Sequence, residues 1–308
     1  MHDAQVHVEV PTVRTLLAEQ FPQWGDLPVT HVEGAGTVNA LFRVGDGLAA
    51  RFPLVVNDPD ASLAAQRLEA DRAHEFAGAS DVPCPLPVAI GRAGAGYPGP
   101  WSLTTWIDGH PASPHSVEGS TVFANELAEL ILRLRAAPTS ERAFTGTGRG
   151  GDLRTHDEWM ATCLTNSEGL LDVPALRSAW ARLRRLPRLD GDAMTHGDLI
   201  PANLLVRDGH LAGVVDVGGF APADPALDLV AAWHLFEEPA RGELRAALRR
   251  GIHESEAVEE LRWARGAAWA FEQALGLVWY YRVSNPAMSE LGISSLQRIM
   301  EADVLARP

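Results

Sequence analysis

Residues 194–229 read MTHGDLIPANLLVRDGHLAGVVDVGGFAPADPALDL, and this stretch constrains the fold more than any other. Residues 204–206 and 211–217 are apolar runs of β type on either side of Asp208-Gly209. That dipeptide favours a tight hairpin, because both residues tolerate the left-handed backbone it needs. Pro201 breaks the loop ahead of the first run. The expected hairpin carries Asn203 at the mouth of one strand and Asp216 at the far end of its partner, so the two converge on one edge. Asp198 sits on the tight loop just before. An amide oxygen and a carboxylate suit a hard cation such as Mg²⁺. The carboxylate left over can orient an alcohol and take its proton. Singly, each of the three reads more simply as a turn former. As a spaced set after His196-Gly197 they point to chemistry.

Composition narrows the partners. The chain has 308 residues, with 40 acidic against 26 basic, for a net charge of −14. That balance disfavours a nucleic-acid binder, which needs basic patches for phosphates, and permits a cationic ligand. Every basic residue is arginine, so any permanent cation that grips phosphate must be a guanidinium. The two cysteines, Cys84 and Cys163, are far apart and form neither a disulfide framework nor a zinc site. No apolar run reaches the roughly 18 residues of a membrane span. Residues 1–10 lack the charged start and apolar stretch of a signal peptide. A cytoplasmic location and no membrane partner are the expectation. Nothing in the chain reports on oligomeric state.

The pattern changes near residue 106. Before it, β-type runs at 29–32, 40–44, 48–53, 89–92 and 101–106 alternate with turns, and two segments, 12–21 and 62–78, have helical character. Five antiparallel strands and one main helix make a small lobe, 1–106. After it, helices are predicted over 119–136, 156–166, 174–186, 225–236, 239–251, 255–284 and 287–304, with the glycine-rich 145–154 as a mobile loop. The larger lobe, 107–308, is mainly helical around the hairpin. The fold class is α+β.

His196-Gly197-Asp198-Leu199, three residues, Asn203, and then Val215-Asp216-Val217-Gly218 resemble the catalytic segment of the aminoglycoside phosphotransferase family of antibiotic kinases, whose bilobal fold is protein-kinase-like. Asp224-Pro225-Ala226 and Asp228-Leu229 extend the likeness. Upstream, residues 34–39 resemble the nucleotide-covering loop, Ala50-Arg51-Phe52-Pro53 the third strand, Glu69 the helix carboxylate, and 97–109 the fifth strand and linker. The resemblance covers residues 30–236. Protein kinases carry Arg where this chain has Gly197, Phe where it has Val217, and an Ala-Pro-Glu signature that is missing here. A small-molecule kinase is therefore favoured. The third-strand lysine is replaced by Arg51.

The resemblance implies roles. ATP or GTP would set its base against Thr104 and Trp106, with its phosphates under Gly34 and Gly36. Arg51, held by Glu69, would neutralise phosphate charge. Asn203 and Asp216 would hold Mg²⁺, Asp198 would be the catalytic carboxylate, and His196 would brace the loop. The acceptor, a hydroxylated small molecule, cationic if it is an aminoglycoside, would meet a wall including Glu238, Trp269 and Glu272. Carboxylates there suit an aminoglycoside and tryptophans suit a macrolide, and the sequence offers both. The tryptophans also read as core, and Asp224 reads as a cap for a helix begun by Pro225. A non-drug metabolite kinase and a nucleotide-binding pseudoenzyme remain as alternatives.

Overall fold

A computed structural model describes residues 6–32, 38–146, 148–189, 191–252 and 254–302. Two compact units are built from interleaved segments: Met1–Gly78, Pro83–Asp108 and Val214–Gly218 in one, Ala79–Val82, Gly109–Gly213 and Gly219–Pro308 in the other. The division thus uses several chain segments where the sequence suggests one cut after residue 106.

The first unit carries helices α1 (Val10–Gln20) and α2 (Pro59–Ala79). It also carries strands β1 (Val29–His31), β2 (Asn39–Val44), β3 (Leu48–Pro53), β4 (Pro87–Gly91) and β5 (Trp101–Thr105). They form one antiparallel sheet in the order β1-β2-β3-β5-β4, the five-stranded arrangement expected. Period-two burial sets the register of β2: Ala40, Phe42 and Val44 point inward, which a one-residue slip would reverse. Phe52 stacks on Trp101 at 4.9 Å and meets Phe42 and Tyr97 edge-on at 5.8 and 5.0 Å. Val13, Leu16 and Leu17 of α1 close this core. Gly91 has to be glycine, because a Cβ there would lie 2.2 Å from the Trp101 ring. Cys84 is buried, and burial pushes its thiol up to about 11.

The second unit is mainly helical. It contains β6 (His110–Pro111), α3 (Pro114–Val117), α4 (Thr121–Ala136), α5 (Asp157–Asn166), α6 (Val173–Leu183), β7 (Ala193–Thr195), β8 (Leu204–Arg207), β9 (His210–Val214), β10 (Ala221–Ala223), α7 (Val230–Leu235), α8 (Ala240–Gly251), α9 (Glu256–Tyr280) and α10 (Pro286–Glu301). Helix α4 buries Phe123, Leu127, Leu130, Ile131 and Leu134, and Ser120 caps it by accepting from the Phe123 amide. Helix α10 packs on α9 so closely that a Cβ on Gly292 would meet the Ala274 carbonyl at 2.6 Å. Cys163 is buried, and its thiol too is pushed up to about 11. No helix among the described residues is long and apolar enough to cross a membrane.

Three departures from the sequence reading have local causes. The strand expected over 211–217 ends at Val214 because Asp216 takes φ +59°, which leaves the extended region. The helix expected over 225–236 is a 3-10 turn, Leu227–Leu229, followed by α7. The pairing of β10 with β7, two strands of three residues each, is too short to show a period.

Arg265 of α9 is wholly buried, with its Nε donating to Asp224 Oδ2 at 2.7 Å and its Nη2 3.0 Å from the Gly151 carbonyl. Its Nη1 donates to the Leu186 and Pro187 carbonyls at 2.9 and 3.1 Å. Removing one partner of a buried pair strands the other charge. Arg265→Leu should therefore lower the unfolding free energy by about 3–5 kcal/mol in chemical denaturation. A loss below about 1 kcal/mol would contradict this account of the pair.

Candidate active site

In the helical unit, the loop after β7 is shaped by a buried carboxylate. Asp228 accepts from the His196 amide through Oδ2 at 3.0 Å and from the Gly197 amide through Oδ1 at 2.9 Å. Burial pushes the Asp228 carboxyl up, against the opposing pull of His196 and the two amides. Gly197 takes φ +83°, a conformation in which a side chain would be strained. The Asp198 amide then donates to His196 Nδ1 at 3.3 Å, so His196 braces the loop as the resemblance implies. A short turn follows, with the Ile200 amide donating to the Asp198 carbonyl at 2.8 Å and the Asn203 amide to the Ile200 carbonyl at 3.0 Å.

These bonds bring Asp198 and Asn203 together. Asn203 Nδ2 donates to the Asp198 carbonyl at 2.9 Å and approaches its Oδ2 at 3.4 Å. The other carboxylate oxygen, Oδ1, accepts from Arg149 Nη2 and from Gln273 Nε2, each at 2.7 Å. Oδ2 is thus the less engaged oxygen, on a side chain one-third exposed, at 34%.

Arg149 was not singled out by the sequence. It lies in the segment expected to be mobile, yet the structure pins that segment from Gly150 onward. The Gly150 carbonyl accepts from the Asp224 amide at 2.9 Å. Gly150 takes φ +110°, and a Cβ on it would stand 2.7 Å from that of Ala223. One signal was available: an arginine flanked by glycines in a chain without lysine. Gln273 was visible only as a neighbour of Trp269 on one helix face.

The expected acceptor wall is corrected in part. Trp269 has no exposed surface, and its indole N–H donates to Asp224 Oδ2 at 3.0 Å. It is core, because burying the ring and satisfying its N–H together outweigh leaving it in solvent. Glu272 is only 4% exposed and lies 3.0 Å from His156 Nδ1, and that bond raises the His156 pKa. Glu238 is exposed and pairs with Arg241 Nε at 3.2 Å. Trp233 is buried beneath the Arg241 guanidinium, 4.8 Å away. Asp224 accepts from the Ala226 amide at 3.0 Å, closing a turn; no helix begins at Pro225, so it does not cap one as the sequence suggests.

In the sheet unit, Arg51 Nη2 donates to Glu69 Oε1 at 3.2 Å, linking β3 to α2. Gly218 passes so close to α2 that a Cβ there would lie 2.5 Å from Glu69 Cγ. The segment carrying Asp216 is thereby held beside this pair. Asp216 is exposed, and its carboxylate takes no hydrogen bond or ion pair among the described residues. Thr104 is buried, with Oγ1 unpartnered. The Trp106 indole N–H donates to Asp108 at 3.0 Å, with Arg43 over the ring at 4.9 Å. Gly34 and Gly36 lie outside the described residues.

No group of three or more His, Cys, Asp or Glu side chains among the described residues could hold a metal alone. A pair of oxygens, with water and phosphate completing the shell, is what Mg²⁺ asks for. Asn203 commits Nδ2 to Asp198, leaving its Oδ1 for a ligand, and Asp216 offers an unpartnered carboxylate. The donor chemistry fits the ion. Asn203 directly precedes β8 and Asp216 follows β9, so the hairpin is the covalent link between the two.

Comparison with known proteins adds the following. The model of the phosphotransferase enzyme family matches residues 33–268. An aminoglycoside 3'-phosphotransferase of Escherichia coli is 30% identical over 151 residues, 45% of this chain and 53% of that protein. The chain therefore spans about half the length of this curated relative. The GDP complex of wild-type aminoglycoside 2'-phosphotransferase-IIIa is similar with a TM-score of 0.69 at 19% identity, over 95% of this chain and 99% of that one. The apoenzyme of macrolide 2'-phosphotransferase from Brachybacterium faecium gives 0.61 at 21% identity, over 93% and 98%. At such identities the two structures speak for the fold, which is α+β and protein-kinase-like.

Behind Gln273 stands a buried histidine. His234 Nε2 lies 3.0 Å from Gln273 Oε1, and Nδ1 lies 2.8 Å from the Ser295 hydroxyl. Because Gln273 donates to Asp198 through its amide nitrogen, its oxygen must accept, so the ring donates through Nε2. Burial lowers the His234 pKa to about 4, below the ordinary value of about 6.5. The unfolded chain then binds more protons between those two values. The stability His234 contributes is complete above pH 6.5 and is lost as pH falls towards 4, on the order of 2 kcal/mol by pH 5. His156, with its raised pKa, works in the opposite sense: its contribution is present at low pH and lost as pH rises. His234→Gln should isolate the first effect. Its stability gap to wild type, followed by urea unfolding, should shrink by about that amount between pH 7 and pH 5. An unchanged gap would refute the buried neutral ring.

Proposed function

The chain belongs to the phosphotransferase enzyme family, and from that membership we propose that it moves the γ-phosphoryl group of ATP or GTP to a hydroxyl of a small molecule of antibiotic type, with Mg²⁺. The observation that carries the reading is Asp198: a carboxylate fixed through Oδ1 by Arg149 and Gln273, with Oδ2 facing only a long amide contact.

Phosphoryl transfer needs positioning and charge neutralisation more than covalent help from the protein. The acceptor alcohol sits at Asp198 Oδ2. As its oxygen bonds to the γ-phosphorus, the bond from that phosphorus to the bridging oxygen breaks, the nucleoside diphosphate departs, and the hydroxyl proton passes to Asp198. Arg149 and Gln273 keep the carboxylate aimed. Asn203 holds the loop and, with Asp216, supplies the oxygens that would bind Mg²⁺. When bound, that ion offsets charge on the phosphate oxygens. Arg51, steadied by Glu69, adds a second positive charge. A nucleotide donor is supported by the GDP held in a structural relative.

Asp198→Ala should cost turnover a factor on the order of 10²–10⁴, the range for a general base, while nucleotide affinity survives. Coupled measurement of nucleoside diphosphate release reads this directly, and wild-type turnover in the variant would remove Asp198 from the role. Asp216→Ala should instead abolish the Mg²⁺-dependent part of nucleotide affinity. A titration that shows the same affinity with and without the carboxylate would take the metal role from Asp216.

A further inference from the structure

We infer that Arg149 sets the acceptor class, selecting uncharged or anionic alcohols over polycations. This deepens the phosphotransfer reading and rests on it. An enzyme for a polycationic drug needs carboxylates free to meet ammonium groups. Here the carboxylates that would form such a wall each have a side-chain partner in the same unit. Glu272 lies 3.0 Å from His156, Glu237 accepts from Arg298 Nε at 2.5 Å, and Glu238 pairs with Arg241 at 3.2 Å. Asp198 itself is paired, because Arg149 Nη2 stands 2.7 Å from it.

The guanidinium is placed by the backbone beside it. The Gly150 carbonyl takes the Asp224 amide at 2.9 Å and the Gly151 carbonyl takes Arg265 Nη2 at 3.0 Å. Asp224 and Arg265 are themselves buried, at 1% and 0% exposure. Arg149 is thus presented from an anchored stretch, and its own side chain keeps 26% exposure beside the catalytic carboxylate. A polycation arriving at Asp198 meets a like charge already bonded there. An acceptor with neutral or anionic oxygens finds N–H donors in fixed positions. Discrimination by an opposed charge is a recognised route to specificity.

The test titrates the full-length protein calorimetrically with kanamycin as the polycationic probe. Wild type should bind weakly. Arg149→Gln should bind at least about tenfold more tightly, a difference of 1.4 kcal/mol, and Arg149→Glu more tightly still. Arg149→Lys, which keeps the charge, should stay near wild type. Adding Asp198→Asn to Arg149→Gln should remove the gain, which places it at the catalytic carboxylate. The inference is overturned if wild type binds as tightly as the Gln and Glu variants. It is overturned equally if the Lys variant behaves like the Gln variant, or if the gain survives without the Asp198 charge. Titrating the same samples with Mg²⁺ and ATP or GTP separates two failures. A wild type without nucleotide affinity overturns the phosphotransfer reading. Normal nucleotide affinity with kanamycin binding indifferent to residue 149 overturns this inference alone.

Discussion

An arginine with no access to water exists only where its charge and all its N–H groups are answered. Arg265 meets that demand with one carboxylate and three backbone carbonyls, and in doing so ties α9 to the segments around residues 151, 187 and 224. The same carboxylate takes the Trp269 indole, while the neighbouring backbone amide of Asp224 holds Gly150. Four pieces of chain distant in sequence are therefore fixed by one ion pair. The loop that presents Arg149 to Asp198 depends on it, and so does the burial of the tryptophan beside it. Burying such a pair adds little net stability, but losing half of it is severe. Its use here is to define geometry.

A second carboxylate, Asp228, does the same work on the catalytic loop by taking two successive amides. Asp224 and Asp228 lie four residues apart and serve different loops. Together they explain why a site made from short irregular segments holds its shape: its backbone groups are bonded to buried side chains where regular structure is lacking.

These arrangements also decide what the sequence could tell. The hairpin, the five-stranded sheet and α4 were legible because their signals are local: Asp-Gly turns, alternation in β2, and apolar spacing from Phe123 to Leu134. Asp198 and Asn203 were legible as a spaced set, and their mutual hydrogen bonds follow from the turn between them. Trp269 stood between wall and core, and Glu272 was read as wall, because their periodicity is the same whether a helix face meets solvent or core. What settles the matter is a partner far away in sequence, Asp224 for one and His156 for the other. Arg149 had no periodic signal at all. Its importance comes from a contact 49 positions away, across a loop whose glycines suggested mobility and whose carbonyls turned out to be anchored.

Asp216 combines two requirements in one residue: a carboxylate without a partner, and a left-handed backbone at φ +59°. Most side chains resist that backbone, β-branched ones most of all. Asparagine and glycine accept it readily, and each is one nucleotide substitution from aspartate. The commonest tolerated drift at this codon therefore keeps the architecture and deletes the charge. A lineage could lose its chemistry in one step while retaining a folded protein available for other uses.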